Sequence, residues 1–316
     1  MKRLFLKTSL YVILILISLE VIVRILHLAK DSPTRYIDEH KVEKWVPNQE
    51  GYSVTGNRRQ NFSKFYINNS GYNSYREFTP LKEKVEIALV GDSFIEGFHQ
   101  NYYNSIGKKI ENRLEGVEVY EYGYAGYDLA DQLHLIYAYK NQFDLIDHVI
   151  LGFKFENDLT RGEYHVMQDR MHLESPLYRN ARKIKLLVYI QNIGVLDPVR
   201  QLVSQLMSFG KPKTIISEEI VIKESIKAKH LSYIENFKSL IEIYGFDKKR
   251  FVFLLDTNTT PQIFLNYLEN NDFKYIDTFR VLSKSSKPTT LIYDRHWNNH
   301  GRSIIATLIV DYLTSL

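Results

Sequence analysis

The residues with the clearest chemical potential begin where a short apolar run ends. Residues Ala88–Gly97 read ALVGDSFIEG, and Ser93 stands between the apolar run and a helical pattern. In open parallel sheets ligands bind beyond the carboxyl ends of the strands, so a serine at this position faces a cleft. Its hydroxyl could act as a nucleophile, with N–H groups of the following helix stabilising an oxyanion. The plainer alternative is a serine that only caps the helix.

A serine nucleophile needs a base, and a segment near the C-terminus supplies one. Residues Leu291–Gly301 read LIYDRHWNNHG, which places Asp294 two residues before His296. A carboxylate bound to one imidazole nitrogen leaves the other nitrogen free to take the serine proton. The alternative is that Asp294 caps the last helix while His296 packs in the fold. We expect Ser93, Asp294 and His296 to meet.

Two further segments follow predicted strands and carry N–H donors. Residues Glu121–Asp128, EYGYAGYD, place Gly126 where backbone must approach a ligand closely. Residues Phe153–Leu159, FKFENDL, place Asn157 and its side-chain amide at the mouth of the same cleft. Each segment alone is commonplace, but four such segments at successive strand ends favour a functional site.

Together these segments resemble the SGNH (GDSL-like) hydrolase superfamily, which is named for Ser, Gly, Asn and His in four blocks. GDSF matches the first block, YAGYD the second, FENDL the third and DRHWN the fourth. The resemblance covers roughly residues 84–158 and 290–312, and INNSGY at 67–72 is similar to the approach to GDSF in membrane-anchored members. It implies a catalytic triad of Ser93, His296 and Asp294. It also implies an oxyanion hole formed by the backbone N–H groups of Ser93 and Gly126 and the amide of Asn157.

The resemblance implies an esterase or O-acyltransferase that forms an acyl-enzyme and needs no cofactor. We expect hydrolysis of O-acyl groups, O-acetyl above all, on an envelope or extracellular glycan. The alternatives are a polysaccharide O-acetyltransferase, a lipid esterase or lysophospholipase, and a non-catalytic glycan-binding scaffold. Many superfamily members have the acid three residues before the histidine. The spacing of two resembles the alginate O-acetylation proteins, where the Asp-His pair precedes the serine.

The expected partners are an acylated glycan or another ester substrate and, through the N-terminus, a membrane. An envelope acyltransferase would be a further protein partner. Metal binding is not expected: His296 and His300 have helical spacing, but no third ligand stands near them in the sequence, and catalytic zinc needs three.

The pattern of the remaining chain predicts an α/β fold that can position these segments. Apolar runs predict five strands, and amphipathic patterns predict helices between them. The predicted strands are Val85–Val90, Val117–Tyr122, His148–Phe153, Arg250–Leu255 and Lys274–Asp277; the predicted helices run from Ser93 to about Leu114, over Leu129–Asn141 and from about His300 to Leu313. Strands that alternate with helices form parallel βαβ units. The superfamily resemblance adds a three-layer α/β/α sandwich with a five-stranded, flavodoxin-like parallel sheet.

Three stretches lie outside this pattern. We expect a membrane anchor at 1–30, a juxtamembrane approach of short strands or turns at 31–83 and the hydrolase-like domain at 84–316. The last includes a helical insertion at 160–246, predicted to hold helices at Ile184–Ile193, Pro198–Met207 and Ser225–Tyr244. The insertion is a structural cap, a lid or a second membrane-contacting element.

The N-terminus predicts a single membrane span. Lys2, Arg3 and Lys7 precede the apolar stretch Leu10–Ala29, which is about long enough to cross a bilayer. Glu20 and Arg24 interrupt it at a spacing that lets them pair on one helix face. A cleaved signal peptide is the alternative, but no clear small-x-small cleavage site follows. Basic residues at the extreme N-terminus favour a cytoplasmic N-terminus and a catalytic domain that faces the periplasm or exterior.

Composition excludes several classes of function. The 316 residues include no cysteine, which removes disulfides, thiolate catalysis and cysteine-bound zinc. The formal charge of +4 comes from basic residues spread among nearly as many acids, so no nucleic-acid partner is expected.

Overall fold

The computed structural model describes residues 1–56, 59–195, 197 and 219–316. Nine strands are found in this part of the chain. Four short ones come first: β1 (Arg35–Ile37), β2 (Glu43–Trp45), β3 (Glu50–Thr55) and β4 (Asn61–Tyr66). The other five are β5 (Val85–Gly91), β6 (Val117–Gly123), β7 (His148–Gly152), β8 (Phe251–Leu255) and β9 (Tyr275–Asp277).

Strands β5 to β9 form one parallel sheet in the order β6-β5-β7-β8-β9. This is the flavodoxin-like order, in which the first strand of the sheet lies between the second and the third. The strands are nearly continuous apolar runs because both faces of a parallel sheet are covered. The predicted fold class is confirmed, and each predicted strand is present to within one residue at either end.

The helices are α1 (Lys2–Ile25), α2 (Ser93–Glu96), α3 (Ile106–Glu111), α4 (Leu129–Ala138), α5 (Lys140–Phe143), α6 (Phe155–Asp158), α7 (Gln168–His172), α8 (Pro176–Lys183), α9 (Lys185–Asn192), α10 (Glu219–Tyr244), α11 (Gln262–Asn270), α12 (Phe279–Leu282) and α13 (Asn299–Thr314). Side chains of β5 alternate between two cores, since successive residues of a strand point to opposite faces. Ala88 and Val90 pack with α4, α10 and α11, whereas Ile87 and Leu89 pack with α3 and α13. The sheet and the helices that pack on each of its two faces form the three layers.

The prediction of one helix from Ser93 to about Leu114 is wrong. Helix α2 ends after one turn at Gly97, whose φ of +68° is left-handed, and a loop with a 3₁₀ turn leads to α3. The predicted helix over Leu129–Asn141 is likewise divided, into α4 and α5, at Tyr139.

The segment at 31–83 folds onto the α/β domain. Strands β1 and β2 form one antiparallel pair, and β3 and β4 form another. Trp45, Phe65 and Ile67 are buried in the same core as Tyr124, which follows β6. This segment is therefore part of the folded body that surrounds the candidate site.

The described part of the region at 160–246 begins with an irregular stretch at 160–167 and then contains α7 to α10. Helix α9 matches the prediction over Ile184–Ile193, and α10 contains the predicted Ser225–Tyr244. The predicted helix Pro198–Met207 lies outside the described residues. Phe237 and Leu240 of α10 are completely buried in the main core.

Helix α1 is long and apolar enough to cross a membrane, with a mean hydropathy of 2.2. A signal sequence has the same length and composition near an N-terminus, so this property alone admits both interpretations.

Replacing Gly123 should separate α2 from the sheet. A Cβ at Gly123 would lie 2.0 Å from the backbone nitrogen of Glu96. We expect Gly123→Ala to lower the free energy of unfolding by about 3 kcal/mol or more, measured by urea denaturation. Gly116→Ala is the control: it places alanine in the turn directly before β6, at φ +74°, where the added Cβ meets no atom of the described residues within 4 Å. It should cost only about 1 kcal/mol, and equal losses in the two variants would contradict the steric argument.

Candidate active site

Ser93 is the first residue of α2, directly beyond the carboxyl end of β5. The cap of this helix is Asp92, whose carboxylate accepts the backbone N–H of Phe94 at 2.9 Å and pairs with Lys154 at 2.6 Å. The capping alternative for Ser93 is therefore wrong. With the cap supplied by its neighbour, the hydroxyl of Ser93 is free for another partner.

His296 lies in the loop before α13, and Asn298 holds this loop. Asn298 caps α13 by accepting the N–H of Gly301 at 2.9 Å, and its amide donates to the carbonyls of Pro288 and Thr290. The alternative that Asp294 caps the last helix is wrong, because Asn298 does so. Asp294 is left to contact His296.

The structure brings Ser93, His296 and Asp294 together. Ser93 Oγ lies 2.6 Å from His296 Nε2, although 203 positions separate the two residues in sequence. The other ring nitrogen, Nδ1, is hydrogen-bonded to Asp294 Oδ1, which also accepts the backbone N–H of His296 at 2.9 Å. Burial alone would raise the pKa of Asp294, but these hydrogen bonds and the imidazole charge lower it below the ordinary range. The carboxylate is thus ionised and orients the ring through Nδ1.

Gly126 and Asn157 follow the two strands that flank β5, at the same edge of the sheet as Ser93. Both residues are exposed, and Ser93 is half-buried. Within the described residues, no protein acceptor is bonded to the backbone N–H of Ser93, to the backbone N–H of Gly126 or to the side-chain amide of Asn157. These three donors are available to a bound group.

No protein-family model matches the sequence, and no curated protein matches it. Several solved structures are similar to this chain. A member of the lipolytic protein G-D-S-L family from Veillonella parvula is 14% identical with a TM-score of 0.37, over 73% of this chain and 99% of that one. A lipase/acylhydrolase from Enterococcus faecalis is 13% identical with a TM-score of 0.39, over 73% and 95%. The psychrotrophic esterase EstA from Pseudoalteromonas is 11% identical with a TM-score of 0.39, over 73% and 97%.

Similarity at this level of identity and TM-score says nothing about activity. The strand order and the contact between Ser93 and His296 are instead observed directly in this structure. The chain has a flavodoxin-like fold, in which helices cover both faces of a five-stranded parallel sheet.

A second histidine lies at the candidate site, and no motif in the sequence selects it. His99 lies in the loop after α2, and its Nε2 is 3.1 Å from Asp294 Oδ2. Its ring stacks on that of His296, with centroids 4.1 Å apart and planes inclined by 20°. Burial and the neighbouring His296 lower the pKa of His99 to about 4. At neutral pH His99 is therefore an uncharged donor to Asp294.

Two buried charged groups also lie behind the candidate site. Arg302, completely buried on α13, donates to the carbonyl oxygens of Phe94 at 3.1 Å and Trp297 at 3.2 Å. Glu96, buried on α2, accepts the backbone N–H of Ala125 at 3.1 Å and the indole N–H of Trp45 at 2.7 Å. Burial raises the pKa of Glu96 to about 7, while those two hydrogen bonds oppose the shift. Neither residue belongs to a recognisable motif.

Three groups at the site could hold a metal ion. Donor atoms of His99, Asp294 and His296 lie within 4.8 Å of one another. His300, which we considered as a ligand from its spacing, contacts Ser285 Oγ at 3.0 Å instead. The donor atoms of the trio are already engaged in hydrogen bonds to one another, so a metal would have to displace those protons.

Replacing His99 should change how stability depends on pH. Because its pKa is about 4 in the folded state and ordinarily 6.5, the unfolded chain binds the proton more readily. The stability it contributes is complete above pH 6.5 and is lost as the pH falls towards 4. His99→Gln should remove up to about 1.4 kcal/mol per pH unit of this dependence. Urea denaturation between pH 4 and 7 measures it.

The matched control is His165→Gln, at an exposed histidine whose ring contacts no residue of the proposed site. It should leave the slope of stability against pH unchanged. A slope that is identical in wild type and His99→Gln would show that His99 is not held neutral by its surroundings.

Proposed function

We propose that this protein is a serine ester hydrolase with Ser93 as nucleophile, His296 as base and Asp294 as the residue that orients it. The observation that carries this proposal is the 2.6 Å contact between Ser93 Oγ and His296 Nε2, with Nδ1 of the same ring bound to Asp294. A nucleophile, a base and an orienting acid in hydrogen-bond series are the arrangement that acyl transfer requires.

In the proposed reaction His296 takes the proton of Ser93 as the serine oxygen attacks an ester carbonyl. The negative charge that forms on the carbonyl oxygen is bound by the N–H groups of Ser93 and Gly126 and the amide of Asn157. His296 then gives its proton to the departing alcohol, and the C–O bond of the ester breaks. Water, activated by the same imidazole, releases the acid from the acyl-enzyme and restores the serine. No cofactor takes part in these steps.

The proposed substrate is an O-acyl group, O-acetyl above all, on an envelope or extracellular glycan. The exposure of Gly126 and Asn157 supports it, as does that of Ile292 and Tyr293, which lie just before Asp294. An open site admits an acyl group attached to a polymer. A long acyl chain would instead need a covered apolar tunnel.

The proposed location is the outer face of a membrane, with α1 as an uncleaved single span. The apolar helix and the basic residues Lys2, Arg3 and Lys7 before it support a cytoplasmic N-terminus and an exterior catalytic domain. This location would bring the site to envelope glycans.

A polysaccharide O-acetyltransferase is the second candidate. The D-x-H-W pattern of Asp294, His296 and Trp297 favours it through its resemblance to alginate O-acetylation proteins. The ring of Trp297 contacts that of Phe94 edge to face, with centroids 4.8 Å apart. Because the two residues directly follow His296 and Ser93, both adjoin the proposed triad. The same acyl-enzyme would serve, with a sugar hydroxyl in place of water.

The purified protein should hydrolyse p-nitrophenyl acetate, and Ser93→Ala should lower kcat by a factor of about 10⁴ or more. Folding should be unaffected because the hydroxyl does not cap α2. The matched control is Ser303→Ala, whose hydroxyl only bonds within α13. Hydrolysis by Ser93→Ala at a rate near wild type would defeat the assignment.

Asn157→Ala should lower kcat about a hundredfold, because one donor to the oxyanion is lost. The KM should change little, since that donor is needed chiefly in the transition state. Steady-state kinetics on p-nitrophenyl acetate measures both constants. Asn270→Ala, at another exposed asparagine, should retain wild-type kinetics, and a similar kcat in both variants would remove Asn157 from the proposed oxyanion hole.

The two candidate reactions differ in their acceptor. With an O-acetylated oligosaccharide, a hydrolase releases acetate at the rate at which the acetyl ester disappears. With an acetyl donor and an unacetylated oligosaccharide, a transferase forms a new ester that mass spectrometry detects. Transfer that exceeds acetate release would favour the second candidate over the first.

A further inference from the structure

The stretch from α7 to the end of α9 lacks a core of its own. All of residues 168–195 are described, and none of their side chains is buried. The stretch is nevertheless rich in apolar residues, and Leu177 is 78% exposed. The other large apolar side chains left exposed in this stretch are Leu173, Tyr178, Ile184, Leu187 and Val195. Single exposed apolar residues are ordinary, but several in one short segment mark a binding surface.

This surface is joined to the apolar helix α1 by defined hydrogen bonds. The carboxylate of Glu20 accepts the backbone N–H of Lys185 at 3.0 Å and of Leu186 at 2.6 Å, the first two residues of α9. Arg24 pairs with Glu20 at 2.6 Å and donates to the carbonyl of Lys183. The predicted pairing of Glu20 and Arg24 is present, and the pair also attaches α8 and α9 to α1. We call residues Pro176–Asn192 the interfacial hairpin.

If α1 spans a bilayer, the attachment point lies near one of the two membrane surfaces. Glu20 follows Lys2 by 18 residues of continuous helix, or about 27 Å at 1.5 Å per residue. The hydrocarbon core of a bilayer is about 30 Å thick. If Lys2 lies at one interface, Glu20 therefore lies close to the other, and the hairpin docked on it lies there too.

The charges of the hairpin fit lipid headgroups. Arg179 and Lys183 have no acidic partner among the described residues, whereas Arg182 pairs with Glu174 and Lys185 with Asp31. Arg179 and Lys183 line a cavity of about 510 Å³ in which the cations Arg24, Lys30, Arg182 and Lys185 outnumber the acids Asp31 and Glu50. Cations beside exposed apolar side chains are the composition of segments that lie in a bilayer interface.

We propose that the interfacial hairpin is a second membrane contact, seated in the bilayer surface beside the outer end of α1. Leu177, Ile184 and Leu187 enter the acyl region, and Arg179 and Lys183 reach the phosphate groups of the lipids. Side chains of such segments enter by about 5–10 Å. This inference rests on the proposed retention of α1 as a membrane anchor. A second copy of the chain is the other occupant that could cover these side chains.

The absence of cysteine makes a direct test simple. Single-cysteine variants of the full chain are made at Leu177 (L177C), at Leu14 in α1 (L14C) and at Leu81 (L81C), then labelled with a nitroxide and reconstituted into nanodiscs of phosphatidylcholine and phosphatidylglycerol. Electron paramagnetic resonance measures collisions of each label with oxygen, which partitions into lipid, and with a nickel chelate, which stays in water. Leu14 and Leu81 are exposed, like Leu177, so the label should not disturb the fold.

We expect the ratio of oxygen collisions to nickel collisions at L177C to lie well above that at L81C and below that at L14C, because the hairpin enters the bilayer by only about 5–10 Å, whereas Leu14 lies near the middle of α1. A label at 177 that matches L81C, while L14C reports lipid, would overturn the hairpin contact and leave the anchor intact. Low collision rates with both reagents at 177 would mean a protein cover and would also overturn it. A label at 14 that matches L81C would overturn the anchor and the hairpin contact together.

Discussion

The geometry of the site depends on one buried guanidinium. Arg302 binds the carbonyl oxygens of Phe94 and Trp297, the residues that directly follow Ser93 and His296. A single planar group therefore sets the separation of two backbone segments that are distant in sequence. Burial lowers the pKa of Arg302 to about 10, opposed by the charge of Glu121, so it remains protonated at neutral pH. Burying this charge is costly in itself, and its hydrogen bonds are those that hold the two segments in place.

Other constraints follow from the position of that group. Position 97, at the end of α2, requires a glycine. A Cβ there would lie 3.0 Å from Arg302 Nη1, and the backbone φ of this residue is left-handed. Glu96, one residue earlier, is turned inwards and binds Ala125 and Trp45. Its hydrogen bond to Ala125 holds the turn that presents Gly126. The carboxylate of Glu96 thus connects α2, which carries Ser93, with the turn at Gly126 and with the segment at 31–83.

The strands of the sheet and the residues of the proposed triad could be predicted from the sequence because short local patterns mark them. Each strand is an apolar run, and Ser93, Asp294 and His296 stand at short fixed distances from recognisable glycines and aromatics. His99 and Arg302 act through contacts with residues about 200 positions away, which no local pattern records.

The early end of the helix that begins at Ser93 is likewise caused by contacts with residues distant in sequence. Its loop is held by Asn61, which donates to the carbonyl of His99 at 2.9 Å, and by Ser63, which donates to that of Phe98. Those partners lie on β4, about 35 residues before the loop. Helical propensity between Gly97 and Ser105 is therefore outweighed by tertiary hydrogen bonds that the local sequence cannot show.

The proposed membrane contact and the proposed site are also connected through the chain. Arg170 on α7 donates to the carbonyl of Gly126 and pairs with Glu43 and Asp131, both buried, at 3.2 Å. Fifteen residues later Lys185 begins the helix that Glu20 caps. Even fully extended, such a stretch spans at most roughly 50 Å, and α7 and α8 shorten it. If α1 crosses the membrane, the proposed nucleophile therefore lies within a few tens of ångströms of the lipid surface.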